Sequence, residues 1–146
     1  MSKQMSPRPT AAFVGASWLA LIVGMTTYLL GVWNAPDMLL NERGYYFTLL
    51  MYGLFSAVSL QKSVRDRLEG VKVTGIYFGL CWFSLLLSIL LLSIGLFNAT
   101  LTPSEKGFYA MAFLLSLFAA VAVQKNVRDI ALADDDAGSS PNIVKD

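Results

Sequence analysis

The side chains able to do chemistry in this chain are few, and most of them occur twice in the same order. QKSVRD (Gln61–Asp66) and QKNVRD (Gln124–Asp129) each set out an amide, an ammonium, a guanidinium and a carboxylate. At helical spacing, Lys62–Asp66 and Lys125–Asp129 are i,i+4 pairs on one face. Such groups recognise surfaces: Gln61, Lys62, Arg65, Asp66, Gln124, Lys125, Arg128 and Asp129 are candidates for docking a protein partner or an anionic lipid. They do not suggest bond-making chemistry. The chain has no His, the commonest general base and imidazole ligand. Its one cysteine, Cys81, has no partner for an intrachain disulfide, and with no His it makes no zinc site. No phosphate-binding glycine loop or serine elbow is present, and Ser56 and Ser59 lie in an apolar run without a base. Asp134–Asp136 sit in a Gly/Ser/Pro-rich tail that reads as solvated. No catalytic, metal or cofactor-binding residue is expected, and no enzyme.

The elements that position these motifs are four uncharged runs: 11–35, 44–60, 73–101 and 107–123. The chain of 146 residues is 55% hydrophobic and 14% charged, against about 25% charged for a soluble domain. Uncharged runs of roughly 17–25 residues match a hydrocarbon layer of about 30 Å. The composition therefore predicts an all-α membrane protein with four transmembrane helices. The first run is long, contains Trp18 and has no small-x-small cleavage site, so it reads as a retained span rather than a signal peptide. A net charge of +1 gives no reason to expect a nucleic-acid partner.

The two halves align. Gly15, Trp18, Gly31, Asn34 and Ala35 match Gly79, Trp82, Gly95, Asn98 and Ala99 at a spacing of 64. Glu42, Gly44, Tyr46, Leu54, Phe55, Ala57 and Val58 match Glu105, Gly107, Tyr109, Leu117, Phe118, Ala120 and Val121 at a spacing of 63. This is duplication of a two-helix hairpin. Two crossings per unit return the chain to its starting side, so the hairpins are parallel repeats about a pseudo-two-fold axis along the membrane normal. The expected organisation is an N-terminal tail (1–10), a first repeat (11–66), a linker (67–74), a second repeat (75–129) and a disordered tail (130–146). Lys3, Arg8, Lys62, Arg65, Arg67, Lys72, Lys125, Arg128 and Lys145 fall on one side, and only Arg43 and Lys106 on the other. The positive-inside rule places the first side, with both termini, in the cytoplasm.

Local signals fit this plan. Thr102-Pro-Ser-Glu105 is a capping box with Pro at the first helical position, and Asn41-Glu42 opens the earlier copy less completely. Asn34 and Asn98 are expected to cap helix ends. Trp33 and Phe97 end the first and third spans at the interface, where Tyr45, Tyr46, Phe108 and Tyr109 complete an aromatic belt. Lys62, Arg65, Lys125 and Arg128 are expected to snorkel to headgroups. Small residues at intervals of four mark close helix contacts: Gly53 and Ala57 in one repeat, Ala112, Ser116 and Ala120 in the other. Further stripes are Ala16, Ala20 and Gly24 in the first span, and Gly75 with Gly79 in the third. The glutamines are expected to end their seams with a hydrogen bond across helices.

The segments GVWNA, NERGYYF, GLFSAVSLQKSVRD and LSLFAAVAVQKNVRD resemble the YiaA/YiaB family of bacterial inner-membrane proteins, over 11–129 and including both motif copies. The resemblance implies two YiaAB two-helix domains in the inner (plasma) membrane. It implies no catalytic residues. The expected function is that of a non-enzymatic, oligomeric structural or accessory component, surrounded by membrane lipids and contacting a partner whose identity the residues do not give. The alternative is a small channel or facilitator for a neutral or small solute, lined by Thr26, Thr27, Ser84, Ser88 and Ser93. It lacks the ionisable group at membrane depth that coupled carriers use.

Overall fold

The computed structural model describes residues 7–139, all helices and connections: α1 (Ala11–Asn34), α2 (Leu40–Leu68), α3 (Gly75–Asn98) and α4 (Pro103–Gly138). Lys3 and Lys145 lie outside the described residues. The helix ends repeat as the sequence does. Thr10 and Thr74, again 64 apart, cap α1 and α3 by accepting the N–H of Phe13 and Tyr77. Asn34 and Asn98 close the same helices by donating to the carbonyls of Leu30 and Ile94, each at 2.8 Å. Thr102 and Glu105 form the full capping box of α4. α2 begins one residue earlier than expected, at Leu40, and only Glu42 contributes, accepting from the N–H of Leu39 at 2.7 Å. A leucine at that position has no oxygen to reciprocate. α2 ends in a Schellman turn, with Val71 N–H on the Asp66 carbonyl and Gly70 N–H on that of Arg67. Gly70 takes φ +79°, the left-handed conformation this turn requires.

The helices of one repeat do not form a packed hairpin. α1 packs on α4 and α3 on α2, while α2 and α4 lie against each other at the centre. The order across the bundle is therefore α1–α4–α2–α3, so each repeat's first helix is held by the other repeat's second helix. Residue shapes explain this. Tyr109 of α4 lies over Gly31 of α1, where an added Cβ would sit 2.7 Å from its ring. Tyr45 of α2 covers Gly95 of α3, the matching glycine, at 2.8 Å. Gly24 of α1 admits the Ser116 backbone of α4, and Gly53 of α2 admits Phe113 and Leu117 of α4. In lipid, such close approaches are the main source of helix association. Gly53, Ala57, Ala112, Ser116 and Ala120 are all inside the bundle. Ala16, Gly75 and Gly79 face outward instead, and Ala20 is half-buried.

Tyr28, Leu50 and Phe113 fill the centre completely. The Tyr28 ring stands edge-on to Tyr109 with centroids 6.1 Å apart, and its hydroxyl donates to the Tyr46 carbonyl at 2.8 Å. The outside is apolar: Leu19, Ile22, Ile76, Phe83 and the matched pair Phe55 and Phe118 are exposed. Three helices, α1, α3 and α4, are long and apolar enough to cross a bilayer. α2 falls short of the same measure because Tyr45, Tyr46, Tyr52, Ser56 and Gln61 dilute its apolar stretch. Several of these residues serve the interior, Tyr46 and Ser56 being buried. The tail also differs from expectation. α4 continues as helix through Asp134–Asp136 to Gly138, and Arg8 pairs with Asp134 at 2.7 Å.

The glycine contacts give a direct test. Gly24→Ala is expected to destabilise the bundle by about 1–3 kcal/mol through overpacking against Ser116. Gly15→Ala, at an open position, is expected to change stability by less than about 0.5 kcal/mol or to raise it slightly. Reversible unfolding in mixed micelles measures both.

Candidate functional site

α2 and α4 run parallel, so their QK-x-VRD ends arrive level and side by side. Four positions of the motif then divide the work. The aspartate receives its own lysine: Lys62 Nζ lies 2.7 Å from Asp66 Oδ2 and Lys125 Nζ 2.8 Å from Asp129 Oδ2. The arginine crosses to the other repeat. Arg65 binds Asp129, and Arg128 Nη1 binds Asp66 Oδ1 at 2.7 Å. Both arginines also converge on Glu69, just beyond α2, with Arg65 Nε at 2.7 Å from Oε1 and Arg128 on Oε2. The arginines, expected to reach headgroups, therefore reach each other's aspartates. Their side chains are only 22% and 20% exposed, and those of Asp66 and Asp129 10% and 12%. The lysines form the outer rim of this cluster, 57% and 51% exposed.

The variable third residue of the motif joins the flanking helices. Ser63 sits 3.6 Å from Cys81 of α3. Its counterpart Asn126 donates from Nδ2 to Ser17 of α1 at 3.2 Å. Ser17 and Cys81 are themselves 64 apart, so one small polar contact is made twice with different residues. The signal was present as a polar or small residue at matched positions, but its buried aim was not. Gln61, expected to bond across helices, keeps a buried Oε1 without a hydrogen-bond partner.

At the opposite end, a cavity of about 440 Å³ opens between the two loops, lined in part by Asp37, Glu42, Tyr45, Tyr46, Asn98 and Glu105. Glu42 and Glu105 are engaged in helix caps there. Among the described residues no group of three or more potential ligands is placed to hold a metal ion. The hydroxyls of buried Ser88, half-buried Thr27 and outward-facing Ser93 return to carbonyls of their own helices, those of Leu85, Val23 and Ile89.

The duplicated unit with its closing QK-x-VRD is matched by the profile of the yiaA/B two helix domain, over residues 13–66 and again over 77–129. The chain belongs to the YiaA/YiaB family. It is 59% identical over 121 residues to the inner membrane protein YiaA of Escherichia coli, covering 83% of each chain. It is 31% identical to the inner membrane protein YiaB of the same organism, over 68% of this chain and 84% of that one. An uncharacterized membrane protein of Bacillus subtilis, YubF, is 32% identical over 66 residues, 45% of this chain and 76% of that protein. No solved structure matches the chain. Family membership and the three apolar helices make this an inner-membrane protein.

The crossed arrangement predicts where energetic coupling lies. In a double-mutant cycle, Arg65→Ala and Asp129→Ala are expected to couple by about 1–2 kcal/mol, while Arg65→Ala and Asp66→Ala couple by less than about 0.5 kcal/mol. The cluster also sets an acid response. The hydrogen bond from Arg65, aided by Arg128 and opposed by burial, holds the Glu69 carboxyl below the usual carboxylate range. A depressed pKa contributes stability that is present above the ordinary value and lost as pH falls through the folded one. Unfolding measured against pH is expected to be flat from pH 7 to 5 and to weaken below about pH 4, with Glu69→Gln reducing that drop.

Proposed function

We propose that the protein is a non-enzymatic, oligomeric accessory component of the inner membrane, and that it presents a rigid platform to a cytoplasmic protein partner. The observation that carries this reading is the division of labour at the QK-x-VRD end. The arginines lock the two repeats, and the half-exposed Lys62 and Lys125 are left outward on either side of the joint. Two ammonium groups on a stiffened base suit an acidic partner surface. In this reading α2 is the fourth crossing, because its motif end is level with that of α4 and Tyr46 lies beside Tyr28 at the other end. The excess of Lys and Arg at the motif end directs that end to the cytoplasm. Matched glycines Gly15 and Gly79 face open space and suit close contact between copies. A pore within one protomer has less support: aromatic and aliphatic side chains fill the centre, and the hydroxyls bond their own helices.

Crosslinking in intact membranes followed by mass spectrometry tests this. The native protein is expected to yield self-crosslinks and a reproducible partner, and Lys62→Glu with Lys125→Glu to lose the partner while keeping the self-crosslinks. Unchanged partner recovery contradicts the platform, as does solute flux through liposomes holding the purified protein. Reporter fusions at residues 38 and 103 are expected to report the non-cytoplasmic side.

A further inference from the structure

We infer that the groove between α1 and α2 at their loop end holds one glycerophospholipid, with an acyl chain in the groove and the phosphodiester on Arg43. The crossed packing creates the groove. α1 leans on α4, and the space left between α1 and α2 amounts to about 640 Å³. Its walls include Leu29, Leu30, Val32, Leu40 and Phe47, and the one charged residue among them is Arg43. The volume is in the range of small-molecule sites, and the lining suits a hydrocarbon chain. Gly44 also lines it, with nothing near the position of an added Cβ.

Arg43 supplies the specificity. Its Nη2 donates to the Ala35 carbonyl at 3.1 Å, and its guanidinium lies 5.7 Å from the centre of the Trp33 ring. These contacts hold it at the groove mouth. Its Nε is buried and has no hydrogen-bond partner, and among the described residues Arg43 makes no ion pair. A buried N–H on a cation, left unpaired beside an apolar groove, calls for an anionic oxygen. Depth agrees: Arg43 lies 22 residues before Arg65, roughly 33 Å along the helix, so one is at phosphate level when the other is at the opposite face. The second repeat diverges here. Lys106 stands in place of Arg43 and Phe97 in place of Trp33, with Lys106 donating to the Phe97 carbonyl at 3.3 Å. An ammonium is a point charge without the planar fork that matches a phosphodiester, so the site belongs to the first repeat. This inference does not depend on the cytoplasmic platform.

Native mass spectrometry of the full chain in mild detergent, titrated with dioleoylphosphatidylglycerol, tests it. One bound phospholipid per chain is expected, while dioleoylglycerol, which has the same chains and no phosphate, leaves the chain bare. Arg43→Gln is expected to weaken binding about tenfold or more, and Lys106→Gln to leave it unchanged. Gly44→Leu, which plugs the groove and spares the guanidinium, is expected to give the same loss and decides the matter if Arg43→Gln does not fold. Undiminished phospholipid binding by Gly44→Leu and Arg43→Gln overturns the inference. So does equal loss with Lys106→Gln, or equal binding of dioleoylglycerol.

Discussion

In hydrocarbon, two apolar helix faces gain little by touching, since lipid tails are as oily as leucine. What holds helices together is close approach and the satisfaction of polar groups. In this chain close approach is met between repeats, and the central polar group, the Tyr28 hydroxyl, is satisfied within the first. Gly31 accommodates Tyr109 and Gly24 accommodates Ser116, each across the α1–α4 contact. Tyr28, at the centre, spends its hydroxyl on the Tyr46 carbonyl of α2 and its ring on Tyr109 and Phe113 of α4. Everything else in the bundle follows from this crossing, including the pairing of the motif ends and the groove left where α1 stands apart from α2.

The charged end repeats the same logic in water. Each motif is incomplete alone: its lysine satisfies one oxygen of its aspartate, and its arginine has no acceptor within the motif. Side by side, the two copies complete each other through Arg65–Asp129 and Arg128–Asp66, with Glu69 bridging both arginines. Exposed ion pairs contribute little to stability, as with Arg8–Asp134 on the surface. These pairs are largely shielded and interconnected, which makes them a register lock between the repeats. Duplication of the sequence is thus needed for closure, and the lysines form its outer rim.

Much of this was legible in the residues. The repeat spacing, the ends of α1 and α3, the α4 capping box, the asparagine caps and the i,i+4 lysine–aspartate pairs all rest on local chemistry that the sequence carries directly. Three things were not. Which helix holds which is invisible because a small-residue stripe has the same form whether it meets its own hairpin partner or the other repeat. The aim of Ser63 and Asn126 was hidden because a short polar side chain can serve a surface equally well. The weak apolarity of α2 and the helical run through Asp134–Asp136 reflect tertiary placement: the central helix can carry tyrosines and serines because neighbours cover them, and the tail helix extends one that is already anchored.

The crossing of the repeats is most directly measured by disulfide trapping in membranes at one level of the bundle. In a Cys81→Ser background, Ser17→Cys with Asn126→Cys is expected to oxidise rapidly to an intrachain bond, because those side chains already meet at 3.2 Å. Rapid bonding of Ser17→Cys with Ser63→Cys instead, leaving the Asn126→Cys pair reduced, would mean that each hairpin closes on itself and would contradict the account.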